Sequence, residues 1–180
     1  EKFKTDFWLD LKINDIPQTA HSAIESLRDL KKCKYITVHA NGGLAMLKAV
    51  KKHAKKINKN LNVLGVTILT SLNNKSLKEI GHTKNVQQLV LKQANLIKKS
   101  GCDGIVCSPQ ESKMIRKKFK NLLIITPGIR LPGDNSNDQA RVMTPKDAFK
   151  NKVSGVVMGR SLTKGNIKLN VKKLIDHLSQ

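Results

Sequence analysis

Aromatic residues are scarce. One Trp, one Tyr and four Phe make up 3% of the 180 residues. Few stacking platforms for bases are therefore on offer, which weighs against a single-strand nucleic-acid binder. Acids are scarce too: 13 Asp and Glu against 34 Lys and Arg leave a net charge of +21. Such a charge suggests nucleic acid, but the lysines are scattered through every expected helix instead of lining one stripe. With abundant Asn and Ile they fit a chain drifting towards A/T-rich codons, and no nucleic-acid partner is expected. The charge still steers anionic ligands towards the protein. Three cysteines, Cys33, Cys102 and Cys107, are an odd number without zinc-ligand spacing. They read as reduced, mostly buried thiols of a cytoplasmic protein. No apolar run reaches the ~18 residues of a membrane span. The first six residues carry no apolar core of a signal peptide. Hairpin turns are missing as well.

What is present is strand–helix alternation. Strands are expected over 8–12, 35–39, 63–69, 104–107, 122–126 and 156–158. Helices are expected over 19–31, 44–56, 75–80, 85–99, 109–119, 144–150 and 169–178. Val63 to Leu69 is almost continuously apolar, as in parallel strands buried on both faces. Six β/α units at roughly 30 residues each extrapolate to the ~250 residues of a (β/α)8 barrel. A doubly wound sheet would place a Gly-rich turn after its first strand, and that place holds Asp10-Leu11-Lys12. The expected fold is an α/β TIM barrel, (β/α)8, with its first two β/α units outside this chain, and 1–180 form one partial barrel domain.

Asp10 and Lys12 lie two apart on the first expected strand and share a face, with Leu9 and Leu11 turned the other way into an apolar layer. Asp15 falls in the turn before a helix, and Pro17 suits the first turn of that helix. The pattern sets an ammonium between two carboxylates at a strand end, and a positioned ammonium is a proton donor. Other polar residues also gather at C-terminal strand ends, where barrels keep their active sites: His39, Thr70, Ser71, Ser108, Thr126, Arg130, Gly159 and Arg160. His39 reads as a residue hydrogen-bonded within the loop layer, and Ser108 before Pro109 as a helix cap. Gly128-Ile129-Arg130 and Gly159-Arg160 follow the last two strands, the usual place of a phosphate. Small residues there let backbone N–H groups approach an anion, and an arginine adds a charged fork.

Taken in order, Leu9-Asp10-Leu11-Lys12-x-x-Asp15-Ile16-Pro17-x-Thr19, Val38-His39-Ala40-x-Gly42-Gly43 and Val66-Thr67-x-Leu69-Thr70-Ser71 begin a series of motifs. Asp103-Gly104-x-Val106-Cys107-Ser108, Thr126 to Arg130, Asp138-Gln139-x-Arg141 and Gly159-Arg160 complete it. Together they resemble the orotidine 5′-phosphate decarboxylases over nearly the whole chain. The resemblance implies conversion of orotidine monophosphate to uridine monophosphate and carbon dioxide, with no metal and no organic cofactor. It implies that Lys12 protonates pyrimidine C6, and that Asp10 and Asp15 crowd the substrate carboxylate and hold Lys12. It further implies a homodimer in which Asp15 and Thr19 reach the neighbouring site. Thr70 would read the pyrimidine edge, Gln139, Gly159 and Arg160 would grip the phosphate, Arg130 would shape that end, and 132–141 would close as a lid. An aspartate and a second lysine that the family carries on earlier strands are not among these 180 residues, so the chain resembles the last three-quarters of the enzyme.

Two other readings compete. A sibling on the same barrel decarboxylates keto-sugar phosphates and shares Asp-x-Lys-x-x-Asp, but it needs strand-end acids for magnesium where this chain has Thr70, Ser108 and Thr126. A basic RNA-binding remnant is opposed by the scarce aromatics and scattered lysines.

Overall fold

In the computed structural model, residues 5–134 and 142–179 are described. Strand order follows chain order: β1 (Phe7–Ile13), β2 (Cys33–His39), β3 (Asn62–Val66), β4 (Gly104–Val106), β5 (Leu123–Thr126) and β6 (Gly155–Val156). The pairs β1–β2, β2–β3 and β5–β6 are parallel. The chain divides into two compact units, one of residues 1–67 and 91–105, the other of 68–90 and 106–180.

The first unit opens with β1 (Phe7–Ile13), α1 (Pro17–Glu25), β2 (Cys33–His39) and α2 (Gly43–Ile57). It continues with β3 (Asn62–Val66), most of α4 (Val86–Ser100) and the start of β4 (Gly104–Val106). Pro17 stands in the first turn of α1, where its missing N–H costs nothing. Ala20 and Ile24 are the buried residues of α1, one turn apart. On α2 Met46, Leu47, Val50 and Ala54 repeat at helical spacing and are fully buried. The two helices meet at His21 and His53, whose ring centroids lie 3.8 Å apart. Glu25 joins His53 and Arg28 there. Ile36, Thr37 and Val38 of β2 and Val63, Leu64, Gly65 and Val66 of β3 are all buried, as strands covered on both faces must be. Gly65 is required by packing, since a Cβ there would collide with the Ile97 side chain of α4. Gly101, at φ +79°, ends α4 in the left-handed conformation that glycine adopts without strain. At the start of β3, Asp103 accepts from the Val63 N–H at 2.8 Å and pairs with Lys51 at 2.5 Å.

The second unit holds α3 (Asn74–Glu79), α5 (Pro109–Lys118), β5 (Leu123–Thr126), α6 (Pro145–Lys150), β6 (Gly155–Val156), α7 (Arg160–Thr163) and α8 (Ile167–Ser179). Three of its helices, α3, α5 and α6, are capped by side chains. Asn73 accepts from Lys75 and Ser76 N–H groups, Thr144 from that of Asp147, and Ser108 with Glu111 forms a reciprocal capping box. Ser108 is thus the cap its place before Pro109 predicts. Arg116 draws the lower chain together through the carbonyls of Lys120, Leu122 and Lys152 and the Ser154 hydroxyl.

The expected elements are present with changed limits. The first helix ends at Glu25 instead of Lys31, because the N–H groups of Leu27, Arg28 and Leu30 reach back only three residues, in tight turns. The four-residue α7 was not expected. All three cysteines are buried, and none of them forms a disulfide among the described residues. No helix among the described residues is long and apolar enough to cross a membrane.

Candidate active site

The chemistry-bearing stretch of β1 is not a regular strand. Leu9 pairs with Ile36 and Ile13 with Val38, so residues 10–12 together face Thr37 alone. This bulge re-aims side chains, as bulges beside active sites do. It also corrects the expectation for Leu11: the side chain is 53% exposed, not turned into an apolar layer, because alternation is lost where three residues face one. Lys12 takes a positive φ of 51°, uncommon for a residue with a Cβ.

Within the bulge Asp10 and Lys12 do meet. Lys12 Nζ donates to Asp10 Oδ2 at 2.6 Å. The Thr37 hydroxyl donates to Asp10 Oδ1 at 2.7 Å and accepts from the Lys12 backbone N–H at 3.0 Å. His39 ends the neighbouring strand. Burial and then the Lys12 ammonium hold its pKa below the ordinary 6.5, while Asp10 pulls the other way. Its Nδ1 is buried with no hydrogen-bond partner among the described residues, so the loop-layer hydrogen bond expected of His39 is not made at this nitrogen.

Among the described residues the ion pair of Lys12 is with Asp10, and none is formed with Asp15. The expected ammonium between two carboxylates is an ammonium on one, Asp10. Asp15 is exposed and accepts from the Ile16 N–H at 2.7 Å, just before α1. Thr19 is exposed in the first turns of the same helix.

The second unit carries the other candidates. Thr70 lies in the turn after β3 and is 9% exposed. Arg130 is equally buried, its guanidinium donating to the Ile129 carbonyl at 2.9 Å and its backbone N–H to that of Met143 at 3.1 Å. Gly159 precedes α7 with no heavy atom within 4 Å of where a Cβ would stand, so its backbone is open to approach. Arg160 follows it, exposed. Gln139, and the 135–141 part of the expected lid, lie outside the described residues.

Thr37 was missed by sequence reasoning. The one available signal was a hydroxyl inside the run Ile36-Thr37-Val38, two residues before His39 and so on the same strand face.

Parallel strands in chain order, alternating with helices, define a (β/α)8 barrel of which six β/α units are described. The model of the orotidine 5′-phosphate decarboxylase / HUMPS family matches residues 2–172, and the chain belongs to that family. Orotidine 5′-phosphate decarboxylase of Coxiella burnetii is 40% identical over 172 residues, covering 94% of this chain and 72% of the relative. That of Staphylococcus epidermidis is 41% identical over 160 residues, covering 88% and 69%. The crystal structure of the decarboxylase from Lactobacillus acidophilus superposes with a TM-score of 0.83 at 31% identity, covering 97% of this chain and 76% of that one. The Methanocaldococcus jannaschii enzyme, complexed with the inhibitor BMP, gives 0.72 at 25% identity, covering 97% and 74%.

Proposed function

We propose that this chain carries the decarboxylation chemistry of orotidine monophosphate, as a carboxy-lyase in the cytoplasm, and that it works as a homodimer without nucleic acid, metal or organic cofactor. The Asp10–Lys12 pair, held at 2.6 Å on a bulge, is the observation that carries this reading. As the bond from pyrimidine C6 to the carboxylate breaks, carbon dioxide leaves and the electron pair stays on C6. Lys12 Nζ gives its proton to that carbon and recovers one from solvent. Asp10, beside the ammonium, faces the substrate carboxylate with like charge that is relieved when the carboxylate departs. The exposed Asp15 and Thr19 serve the neighbouring site of the dimer. Thr70 reads the pyrimidine edge. The Gly159 backbone, Arg160 and Gln139 hold the phosphate, and Arg130 shapes that end from its buried position. Grip on a phosphate that takes no part in the reaction then supplies binding energy for assembling the reacting groups.

The test is release of carbon dioxide from orotidine monophosphate by the purified chain, with and without an N-terminal segment supplying the family's earlier aspartate and lysine. The expected outcome is little or no turnover by the 180 residues alone and recovery with the segment, in cis or as a separate fragment. Turnover by the bare chain at ~1–10³ s⁻¹, ordinary for enzymes, would show that those groups are dispensable. No recovery with the segment would overturn the assignment.

A further inference from the structure

We propose that Thr37 is a positioning residue for Lys12, fixing the lysine at its backbone and, through Asp10, at its ammonium. The inference rests on the decarboxylase reading for its purpose but on the geometry of β1 and β2 for its content. A hydroxyl has one donor and two acceptor sites. Thr37 uses them in opposite directions, donating to Asp10 Oδ1 at 2.7 Å and accepting from the Lys12 N–H at 3.0 Å. The other oxygen of Asp10 takes the Lys12 ammonium. The contacts close a ring: hydroxyl, carboxylate, ammonium, lysine backbone, hydroxyl.

Four features make that ring more than a surface ion pair. Asp10 and Lys12 side chains are 51% and 40% exposed, and a pair so open to water holds little geometry of its own. Thr37 is fully buried between Ile36 and Val38, and so is a fixed anchor. The bulge removes the Lys12 N–H from the ladder, since residues 10–12 face Thr37 alone, and the hydroxyl stands in for the missing strand carbonyl. The positive φ of Lys12 is a conformation that persists only where its surroundings impose it. Thr37 is the group on the facing strand that imposes it.

The test needs no substrate. Hydrogen exchange at the Lys12 amide and the Nζ resonance of Lys12 are followed by NMR in the full 180-residue chain, in Thr37→Val and in Thr37→Ser. Valine keeps shape and β-branching without the hydroxyl, and serine keeps the hydroxyl. In Thr37→Val the Lys12 amide is expected to exchange about 5- to 10-fold faster, the loss of one hydrogen bond. The Nζ signal should move towards those of solvent-exposed lysines, while amides of α2 and β3 keep their rates. Thr37→Ser should restore both. Unchanged Lys12 signals in Thr37→Val, or a uniform rise in exchange across the unit that serine does not reverse, would overturn the proposal. Should the valine variant not fold, the wild-type chain decides: a slowly exchanging Thr37 hydroxyl proton in contact with the Lys12 amide, lost in Asp10→Ala, supports the ring, and its absence overturns it. Failure of the wild-type chain plus segment to release carbon dioxide would count against the decarboxylase reading alone, because none of these signals depends on turnover.

Discussion

Lys12 and Arg160 are both long cationic side chains at strand ends, and the protein holds them by different means. Lys12 sits on a seven-residue strand, in a bulge, with a carboxylate on its ammonium and a buried hydroxyl on its backbone. Arg160 opens a four-residue helix without a buried residue, beside a glycine whose backbone stands open. A group that must give up a proton at one atom needs its position set before substrate arrives. A group that grips phosphate is drawn into place by a doubly charged ligand, so a guanidinium fork next to accessible N–H groups suffices. On the proposed reading, the first region serves the reacting atom and the second the ligand.

That contrast can be broken by experiment. The largest effect is expected from Lys12→Ala in the chain completed with the N-terminal segment: turnover of orotidine monophosphate should fall by at least ~10²-fold, the contribution of general acid catalysis. Binding of uridine monophosphate, by calorimetry, should change little. A variant retaining more than about a tenth of the wild-type kcat would remove Lys12 from the chemistry. Arg160→Ala should do the reverse, weakening uridine monophosphate by roughly 10- to 150-fold, the worth of a charge-assisted hydrogen bond, and leaving uridine unaffected. Equal losses for both ligands would mean that Arg160 acts away from the phosphate.

A stability test sharpens the rigidity of the first region. Gly65→Ala drives a methyl group into Ile97, itself fully buried, and should cost about 1–3 kcal/mol in urea unfolding. No loss would mean that the sheet beneath the lysine is looser than its packing implies. The smallest effect concerns His39. Its lowered pKa favours the neutral ring in the folded protein, so its contribution to stability is present above pH 6.5 and fades as pH falls through the lower, folded value. Lys12→Met removes one of the two lowering influences, and the His39 midpoint, followed at the imidazole carbon protons, should rise. A midpoint that stays put would separate His39 from the Asp10–Lys12 pair.

The helices and the parallel alternation were legible because they rest on repeated local signals: Leu47, Val50 and Ala54 at helical spacing, Ser108 before Pro109, and the apolar run Val63 to Leu69, of which the strand takes the part up to Val66. The meeting of Asp10 with Lys12 was legible as well, though for an incomplete reason. Strand alternation places them on one face, whereas in the structure a bulge brings them together. A bulge is a property of two strands in register, and the sequence of β1 does not contain β2. The same limit hid the exposure of Leu11 and the role of Thr37, which on its own is a β-branched residue suited to any strand. Asp15 was placed beside Lys12 by counting residues, and the turn gives its carboxylate a nearer donor in the Ile16 N–H.

The left-handed backbone at Lys12 sets two kinds of selection against each other. For a side chain with a Cβ that conformation costs ~1–2 kcal/mol, which glycine would not incur. Variants chosen for folding alone should therefore drift to glycine at position 12, and those chosen for turnover should keep lysine. A copy of this gene released from its catalytic duty would be expected to show the change there early. With Lys12 in its proposed role as proton donor, the residue at position 12 would record whether a lineage still depends on the reaction.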